Sequence, residues 1–375
     1  MGAARGRHRS RRADAAGART AGSRLVSGQI VLIGGAGFIG SNLAQSFLAG
    51  GEDVLVVDNL SRAGVEQNLA WLQQSGPGRL RFRKADVRDS AAMVEVVAEA
   101  RAVFDFAAQT AVTTSLDDPV NDFDVNARGA LNVLEAVRQK GGAVPVILAS
   151  TNKVYGDLAD VALTGGDGGY APCDAGLRAY GLNESRPLAF RTPYGCSKGA
   201  ADQYVLDYAH SFGLPTAVLR MSCIYGPRQF GTEDQGWVAH FALRALADEP
   251  ITFYGDGRQV RDVLFVDDAV AAYRAVLAHI ESVRGRAFNL GGGPANAVSL
   301  NGVVTELGHQ LGRPVRVQHE AWRPADQLYF VADTRALAAA VGWRARVGWR
   351  DGLSELLSWL AGSRAPRGVT LRAMA

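Results

Sequence analysis

A glycine-rich turn between an apolar strand and a helix constrains the fold of this chain more than any other feature. The strand pattern covers Gln29–Ile33, and a helical apolar periodicity runs from Ser41 to Ala49. Gly34, Gly37 and Gly40 stand at this junction in the spacing Gly-x-x-Gly-x-x-Gly. The first glycine permits a tight turn, the second lets a backbone approach a pyrophosphate, and the third lets the helix pack on the strand. An ordinary strand-to-helix turn also uses glycines, so the next strand is needed to distinguish such a turn from a pyrophosphate-binding one.

An aspartate ends that next apolar run. Val54–Val57 is followed by Asp58, about 20 residues downstream, where dinucleotide-binding proteins place an acid on the adenosine ribose hydroxyls. A helix N-terminus facing phosphates and an acid facing ribose together predict a dinucleotide site. The carboxylate would repel a 2′-phosphate, which favours NAD. The nearby Arg62 keeps NADP as a lesser alternative.

Strand-like and helix-like segments then alternate, which is typical of a parallel sheet covered by helices on both faces. The further strand patterns are Leu80–Arg83, Val103–Phe106, Val146–Leu148 and Thr216–Arg220, and the helix patterns are Ala91–Ala100, Asp122–Gln139 and Tyr194–Phe212. The fold class predicted is α/β, with a Rossmann-type doubly wound parallel sheet. Ligands of such sheets bind at the carboxyl ends of the strands. We therefore expect one crevice to hold the residues that follow the strands, Asp86, Ala107, Ala108, Gln109 and Thr151.

We divide the chain into four parts. These are a disordered basic arm (1–28), a mainly NAD-binding Rossmann domain (29–215), a smaller α/β substrate domain (216–360) with some strands returning to the first sheet, and a loose tail (361–375). The planar fork of arginine suits phosphate oxygens, so Arg261 and Arg323 are candidates for a diphosphate clamp. Surface ion pairs with Asp262 and Asp326, respectively, are the structural alternative.

Composition argues against several classes of protein. The chain has 375 residues, of which 47% are hydrophobic, yet it has no apolar run of about 18 residues that would predict a membrane span. Its net charge is +3, but the first 28 residues hold seven arginines against one aspartate. The remainder is mildly acidic, so we predict no nucleic-acid domain. Cys173, Cys196 and Cys223 lack metal-ligand spacing, which indicates reduced thiols, no metal site and a cytoplasmic location.

A hydroxyl, a phenol and an ammonium are the catalytic candidates. Tyr194 and Lys198 share one face of a predicted helix, so the lysine charge can lower the pKa of the phenol from its ordinary value of about 10. A phenol with a lowered pKa is a usable general base. Thr151 follows a strand and can hydrogen-bond the reacting oxygen. Because Tyr-x-x-x-Lys also arises on solvated helices, its context carries the assignment.

Together these motifs, with Arg261-Asp262-Val263, resemble the extended short-chain dehydrogenase/reductase superfamily acting on nucleotide sugars. The resemblance covers the chain from about Gln29 to Leu360. Within the superfamily the chain is most similar to the CDP-paratose 2-epimerases, also called CDP-tyvelose 2-epimerases. The stretches that carry this closer resemblance are Ala111–Ser115, Ser150–Asp157, Pro193–Tyr204, Arg228–Phe230 and Asp234–Val238.

The resemblance implies roles for the matching positions. Thr151 matches the catalytic Ser/Thr, Tyr194 the base, and Lys198 the lysine that holds the nicotinamide ribose. Positions matching cofactor contacts are Gly34, Gly37, Phe38, Ile39, Gly40, Asp58, Asn59, Ser61, Arg62, Asp86, Val87, Ala107, Ala108, Gln109, Asn126, Tyr194 and Lys198. Positions matching sugar-nucleotide contacts are Thr151, Gln235, Arg261, Arg323 and Asp326. The resemblance also implies NAD kept bound through turnover and a homo-oligomer, either a tetramer or a dimer.

The reaction implied by the resemblance is inversion at C2 of a CDP-linked 3,6-dideoxyhexose, from CDP-paratose to CDP-tyvelose, in carbohydrate metabolism leading to lipopolysaccharide O-antigen. Hydride leaves C2 for NAD while Tyr194 takes the hydroxyl proton, and the transient 2-ketose receives hydride on its other face. A 4-epimerase of a UDP-linked or other nucleotide-hexose is an alternative. A 4,6-dehydratase is another, although this chain has Asn152-Lys153 where the dehydratases carry Asp-Glu. An NAD-sensing regulator is the non-enzyme alternative, but it would not need the three catalytic candidates together.

Three features depart from the family pattern or fall outside it. Asp105 stands where the superfamily often has His, and we expect it to change only the packing at the end of the sheet. The long loop Asp157–Thr192 receives no site residues. Lys153, beside Thr151, is a candidate for contact with a substrate phosphate and equally for a structural ion pair.

Overall fold

A seven-stranded parallel sheet forms the centre of the computed structural model, which describes residues 2, 28–166, 168–323 and 326–364. The strands in chain order are β1 (Gln29–Ile33), β2 (Val54–Asp58), β3 (Leu80–Lys84), β4 (Ala100–Asp105), β5 (Val146–Thr151), β6 (Leu163–Gly166), β7 (Gly169–Pro172), β8 (Thr216–Met221), β9 (Cys223–Tyr225), β10 (Ile251–Tyr254), β11 (Val260–Phe265), β12 (Arg286–Leu290), β13 (Ala297–Ser299), β14 (Val317–Glu320) and β15 (Tyr329–Phe330). The large sheet has the order β12-β8-β5-β4-β1-β2-β3. The direction of winding reverses between β1 and β4, which is where doubly wound sheets bind ligands.

Helices cover both faces of this sheet. They are α1 (Phe38–Ala49), α2 (Val65–Ser75), α3 (Ser90–Val97), α4 (Val112–Asp117), α5 (Pro119–Phe123), α6 (Gly129–Gln139), α7 (Ala175–Tyr180), α8 (Thr192–Phe212), α9 (Trp237–Leu246), α10 (Val266–Ala278), α11 (Ile280–Val283), α12 (Leu300–Leu311), α13 (Arg335–Val341) and α14 (Trp349–Arg364). The tail predicted to start at residue 361 begins too early, because α14 continues to Arg364. The predicted arm, apart from residues 2 and 28, and the remainder of the tail lie outside the described residues.

Alternate residues of β1 pack on opposite faces, which explains why the strands read as continuous apolar runs. Ile30 and Leu32 belong to the core beneath α1 and α10, whereas Val31 and Ile33 belong to the core beneath α3 and α6. All four side chains are almost completely buried. The predicted α/β fold with a Rossmann-type sheet is therefore confirmed.

A smaller second region follows β8 and is built around β11. This strand pairs in parallel with β9 and β15 and antiparallel with β13, and α9, α12 and α14 contribute to the core beside it. Both β8 and β12 join the large sheet. The segment Asp157–Thr192, which was predicted as a long loop and received no site residues, contains the hairpin β6–β7 and α7.

Candidate active site

Two adjoining cavities open at the carboxyl ends of the parallel strands. The glycine-turn cavity, of about 550 Å³, is lined by Gly34, Gly37 and the ends of β1, β2 and β4. The arginine cavity, of about 380 Å³, is lined by Arg261, Arg323 and the end of β5. Tyr194 lines both. A group bound in one cavity would thus meet a group bound in the other at this phenol.

The three glycines of the turn are needed for different reasons. Gly34 has a φ of +73°, and a Cβ there would lie 2.7 Å from the backbone nitrogen of Ala107. A Cβ on Gly40 would lie 2.6 Å from the carbonyl oxygen of Gly34. A Cβ on Gly37 would meet only that same oxygen, at 3.1 Å. Gly34 and Gly40 are therefore required by the protein's own backbone, whereas Gly37 leaves room in the cavity beside the N-terminus of α1.

Two carboxylates stand at the ends of β2 and β3. Asp58 accepts hydrogen bonds from the backbone nitrogens of Ala36, at 3.1 Å, and Leu60, at 2.9 Å, so it also fixes the glycine turn. Asp86 accepts two side-chain hydrogen bonds from Arg88, at 2.9 and 2.8 Å. These bonds hold the pKa of Asp86 well below its ordinary value. The cavity therefore presents an ionised acceptor at the end of β3.

Thr151, Tyr194 and Lys198 lie in sequence across the junction of the cavities. Lys198 lines only the glycine-turn cavity, Tyr194 lines both, and Thr151 lines only the arginine cavity. Thr151 ends β5, and its hydroxyl accepts a hydrogen bond from the backbone nitrogen of Lys153 at 3.2 Å. Tyr194 lies in the first turn of α8 and Lys198 lies one turn later. This order would place a phenol between a cofactor and a substrate.

The phenol is protonated in the protein alone. Burial raises the pKa of Tyr194 to about 12, although the hydroxyl of Thr151 and the charge of Arg62 lower it. The prediction that this pKa lies below its ordinary value is therefore wrong for the protein without cofactor, because burial outweighs the hydroxyl of Thr151 and the charge of Arg62. A further positive charge beside the phenol is needed for it to act as a base near neutral pH.

Buried carboxylates surround Lys198, which is 2% exposed. Burial lowers the pKa of Lys198, while the charges of Asp105, Asp202 and Asp122 raise it. Asp202 already forms two hydrogen bonds of 2.9 Å with Arg220. Asp105 lies at the end of β4, and the positive charge of Lys198 favours its ionised form. The expectation that Asp105 changes only packing is therefore wrong, because it is also electrostatically coupled to Lys198.

Asp105→Asn is expected to change how stability depends on pH. Burial raises the pKa of Asp105 to about 6, above an unfolded value of about 3.9. Between these two pH values the folded protein keeps a proton that the unfolded chain releases, so this group makes stability fall as pH rises, by up to about 1.4 kcal/mol per pH unit. Relative to wild type, the variant should gain stability across that window and stay constant above it. Urea unfolding from about pH 4 to about pH 7 measures this difference, and a difference that stays constant with pH would contradict the raised pKa of Asp105.

A π-helical turn interrupts the helix that the sequence predicted over Asp122–Gln139. The turn spans Asp124–Arg128, and such turns often occur at functional sites. It directs the amide nitrogen of Asn126 to the carbonyl oxygen of Gln109, at 3.1 Å, and to the hydroxyl of Ser197, at 3.0 Å. Asn126 itself does not line the glycine-turn cavity, whereas every other predicted cofactor residue does. The geometry thus places Asn126 behind the cavity wall, holding Gln109.

All five predicted sugar-nucleotide residues line the arginine cavity. Arg261 donates to Asp326, at 2.8 Å, and to the carbonyl oxygen of Gln327, at 2.5 Å. Arg323 pairs with Asp234 at 3.3 Å. The alternative had paired Arg261 with Asp262 and Arg323 with Asp326. Each arginine in fact has a different acidic partner. Fixed guanidinium groups in a cavity are suited to binding phosphate oxygens.

Arg62 and Gln235 connect the two cavities. The guanidinium of Arg62 donates one hydrogen bond to the side-chain oxygen of Gln235 and another, of 3.0 Å, to the hydroxyl of Thr110. A predicted cofactor residue and a predicted substrate residue therefore touch directly.

Sequence reasoning missed several residues of this site. Thr113 and Met221 line the arginine cavity, Arg88 fixes Asp86, and Asp122 approaches Lys198. Arg88 follows Asp86 by two residues, so the pair could have been found from local spacing. Thr113 lies within Ala111–Ser115, a stretch that carries the resemblance, so that match was a signal for it. Met221 and Asp122 join the site only through tertiary packing, for which the sequence offered no signal.

A model of the NAD dependent epimerase/dehydratase family matches residues 30–291. The chain belongs to that family. It is 42% identical to "CDP-paratose 2-epimerase" of Salmonella typhi, over 88% of this chain and 98% of the relative. It is 31% identical to a "dTDP-glucose 4,6-dehydratase" of Xanthomonas campestris, over 88% and 92%. Among solved structures it is similar to the Thermus thermophilus UDP-glucose 4-epimerase complex with NAD, with a TM-score of 0.75 and 32% identity over 89% of this chain and 99% of that one.

Membership of this family confirms three predictions, namely an enzyme, the nucleotide-sugar epimerase resemblance and NAD as the cofactor. The glycine-turn cavity fits NAD, because Gly37 leaves space at a helix N-terminus, Asp86 is ionised and Lys198 faces the cavity. Within the described ranges, no helix is long and apolar enough to cross a membrane, and no three His, Cys, Asp or Glu side chains are grouped to hold a metal ion. The three cysteines are free thiols.

Proposed function

We propose that this enzyme inverts C2 of a CDP-linked 3,6-dideoxyhexose and converts CDP-paratose to CDP-tyvelose. The observation that carries the proposal is the 42% identity to a protein named CDP-paratose 2-epimerase over nearly all of that relative's length. In this proposal the arginine cavity takes the nucleotide sugar and the glycine-turn cavity takes NAD. The region 216–360 then contributes most of the sugar-nucleotide contacts.

The residues at the junction support an alcohol oxidation and its reversal. An alcohol carbon has no acidic proton, so inversion needs removal and return of a hydride, which NAD supplies when bound. Tyr194 would take the proton of the C2 hydroxyl, while Thr151 would hold the same oxygen by a hydrogen bond. Lys198 would orient the ribose on the cofactor side and keep positive charge near the phenol. The same phenol would return the proton after the keto sugar has presented its other face.

The diphosphate anchor explains how the sugar could turn without leaving. Arg261 and Arg323 would hold the phosphates while the ring rotates about the bonds to the diphosphate. The walls of the cavity would meanwhile keep water from the ketone. The product is then an isomer, with no net oxidation.

The residues beside Thr151 argue against a 4,6-dehydratase. Elimination of water needs an acid next to the reacting sugar, whereas Asn152 and Lys153 occupy the positions after Thr151. Asp326 also lines this cavity. Burial raises the pKa of Asp326, but the charges of Arg261 and Lys153 have the larger effect and lower it below its ordinary value. It is therefore suited to fixing cations and poorly suited to donating a proton.

A nucleotide-hexose 4-epimerase is the second candidate function. Its chemistry would use the same hydroxyl, phenol and ammonium, and the similarity to UDP-glucose 4-epimerases favours it. The two candidates differ in which carbon faces the junction of the cavities.

The reaction of CDP-paratose in deuterated water without added NAD distinguishes these functions. We expect NMR to show inversion at C2 with no deuterium at C2, because the hydride returns from the cofactor to the carbon that it left. The control is the same incubation with UDP-glucose, which a 4-epimerase would convert. Inversion at C4, loss of water, or deuterium entering C2 would each count against the proposal.

We also propose that the protein is a homo-oligomer. Large apolar side chains are exposed on neighbouring helices, namely Leu116 on α4, Val120 and Phe123 on α5, and Tyr204 and Phe212 on α8. Large apolar side chains left exposed on helices that pack together are typical of a contact between subunits. Light scattering of the purified protein tests this, and a monomeric mass at micromolar concentration would contradict it.

A further inference from the structure

Lys153 has no role in the reaction described above, yet its side chain lines the arginine cavity. Its ammonium lies 3.4 Å from the side-chain oxygen of Gln327 and 3.8 Å from a carboxylate oxygen of Asp326. Its backbone nitrogen donates to the hydroxyl of Thr151 at 3.2 Å. The backbone of Lys153 is therefore hydrogen-bonded to the catalytic threonine, while its side chain faces the substrate cavity.

The charges around Lys153 are not balanced. Lys153 and Arg261 share the single carboxylate of Asp326, and Arg261 is closer to it, at 2.8 Å against 3.8 Å. Two cations facing one anion leave a positive charge at this end of the cavity. The side chain of Lys153 is 24% exposed and that of Arg261 is 8% exposed, so solvent compensates little of that charge. A bound anion would complete the pairing.

We propose that Lys153 is a further substrate-binding residue, and that its ammonium holds the sugar-proximal phosphate of the nucleotide diphosphate. The proposal rests on the proposed function, which supplies the nucleotide sugar. It makes Asp326 a positioning residue that holds Lys153 and Arg261 together. The structural ion pair remains, but it serves to orient a cation toward substrate.

Reaction at C2 explains why a cation is needed next to Thr151. In a nucleotide sugar C2 is bonded to C1, which carries the diphosphate, whereas C4 lies on the opposite side of the ring. When C2 faces Thr151, the proximal phosphate must therefore lie close to Thr151 as well. A cation two residues along the chain can neutralise it there. A 4-epimerase or 4,6-dehydratase would have its phosphates about a ring width farther away.

The small number of lysines allows a direct test. The chain has only Lys84, Lys140, Lys153 and Lys198, so lysine labelled with ¹³C at Cε gives four NMR signals, which single substitutions assign. The protein as isolated is titrated with CDP, UDP and dTDP and with the matching monophosphates. We expect the Lys153 signal to move with the diphosphates and to move much less with the monophosphates, which lack the proximal phosphate. Lys84, exposed at the end of β3, should not move.

Two substitutions of Lys153 and one control substitution test whether this contact contributes to affinity. Lys153→Met removes the charge but keeps the length of the side chain, and we expect it to weaken diphosphate binding by about 10- to 100-fold, as for a lost hydrogen bond to a charged group. Lys153→Arg should retain most of that affinity, and Lys84→Met should equal wild type. Calorimetry with the tightest-binding diphosphate measures these values, and thermal melting shows whether each variant is folded.

The outcomes separate this proposal from the proposed function. An unmoved Lys153 signal, or equal diphosphate affinity in folded Lys153→Met, overturns the assignment of Lys153 whichever carbon reacts. A moved signal together with weaker binding by Lys153→Met supports it, even where the product assay with CDP-paratose contradicts inversion at C2.

Discussion

Replacing Tyr194 by phenylalanine is expected to lower kcat by about 10²- to 10⁴-fold, the usual contribution of a general acid–base group. Among the described side chains that line both cavities, the phenol of Tyr194 is the only titratable group, so it is the candidate proton acceptor between cofactor and substrate. The ring is retained, and the substitution removes only the interaction of the phenol hydroxyl with the hydroxyl of Thr151. We therefore expect bound NAD and thermal stability to stay close to wild type. Steady-state kinetics, with NAD measured after release by acid, checks both parts.

The same helix supplies a matched control. Tyr204 lies on α8, is 46% exposed and lines neither cavity, so Tyr204→Phe should keep full activity. The role of Tyr194 as the base would be refuted by a Tyr194→Phe enzyme with kcat within a few-fold of wild type. The wild-type rate should also rise with pH, because burial raises the pKa of this phenol and only its ionised form accepts the proton. That rise should disappear in Tyr194→Phe.

Local chemistry explains which parts of the fold and site were predictable. The glycine turn lies between β1 and α1, and its conformation depends on residues that are close together in the sequence. The strand ends were predictable because a buried parallel strand is a continuous apolar run that stops where polar side chains are tolerated. The amino-acid sequence alone therefore places Asp58, Asp86 and Thr151 at one edge of the sheet.

Partners that are distant in sequence were not predictable. Arg261 binds Asp326, which is 65 residues away, instead of its neighbour Asp262. Asp262 turns into the protein, where it accepts a hydrogen bond from the hydroxyl of Ser222. Adjacent strand residues point to opposite faces, so Arg261 and Asp262 cannot share a partner on one side. A neighbour in sequence was therefore the wrong choice for a residue on β11.

The balance between burial and charge was also beyond sequence reasoning. The spacing of Tyr194 and Lys198 correctly places both on one helix, but it says nothing about desolvation. Burial raises the pKa of the phenol and lowers the pKa of the ammonium. The three carboxylates that offset the second effect come from β4, α5 and α8. No local sequence pattern predicts that these three carboxylates lie around Lys198.

Gly37→Ala is expected to remove most NAD binding while leaving the fold intact. The new methyl group would have one close protein neighbour, the carbonyl oxygen of Gly34 at 3.1 Å, and would stand at the cavity wall beside the first turn of α1. Those first backbone N–H groups have no partner within the helix, so they are free to bind a pyrophosphate. Holding the pyrophosphate away from them should weaken NAD binding by about 100-fold, the equivalent of one or two lost hydrogen bonds to a charged group.

Gly40→Ala is the matched contrast, because its methyl group would collide with the turn instead of the ligand. It would lie 2.6 Å from the carbonyl oxygen of Gly34 and 2.8 Å from the Cα of Gly35, and backbone cannot move aside as a side chain can. We expect a loss of about 1–3 kcal/mol in the free energy of unfolding, as for other overpacked sites, whereas Gly37→Ala should change it by less than about 1 kcal/mol. Urea unfolding and calorimetry with NAD separate the two effects. If Gly37→Ala bound NAD like wild type, the pyrophosphate would have to lie elsewhere than at the N-terminus of α1.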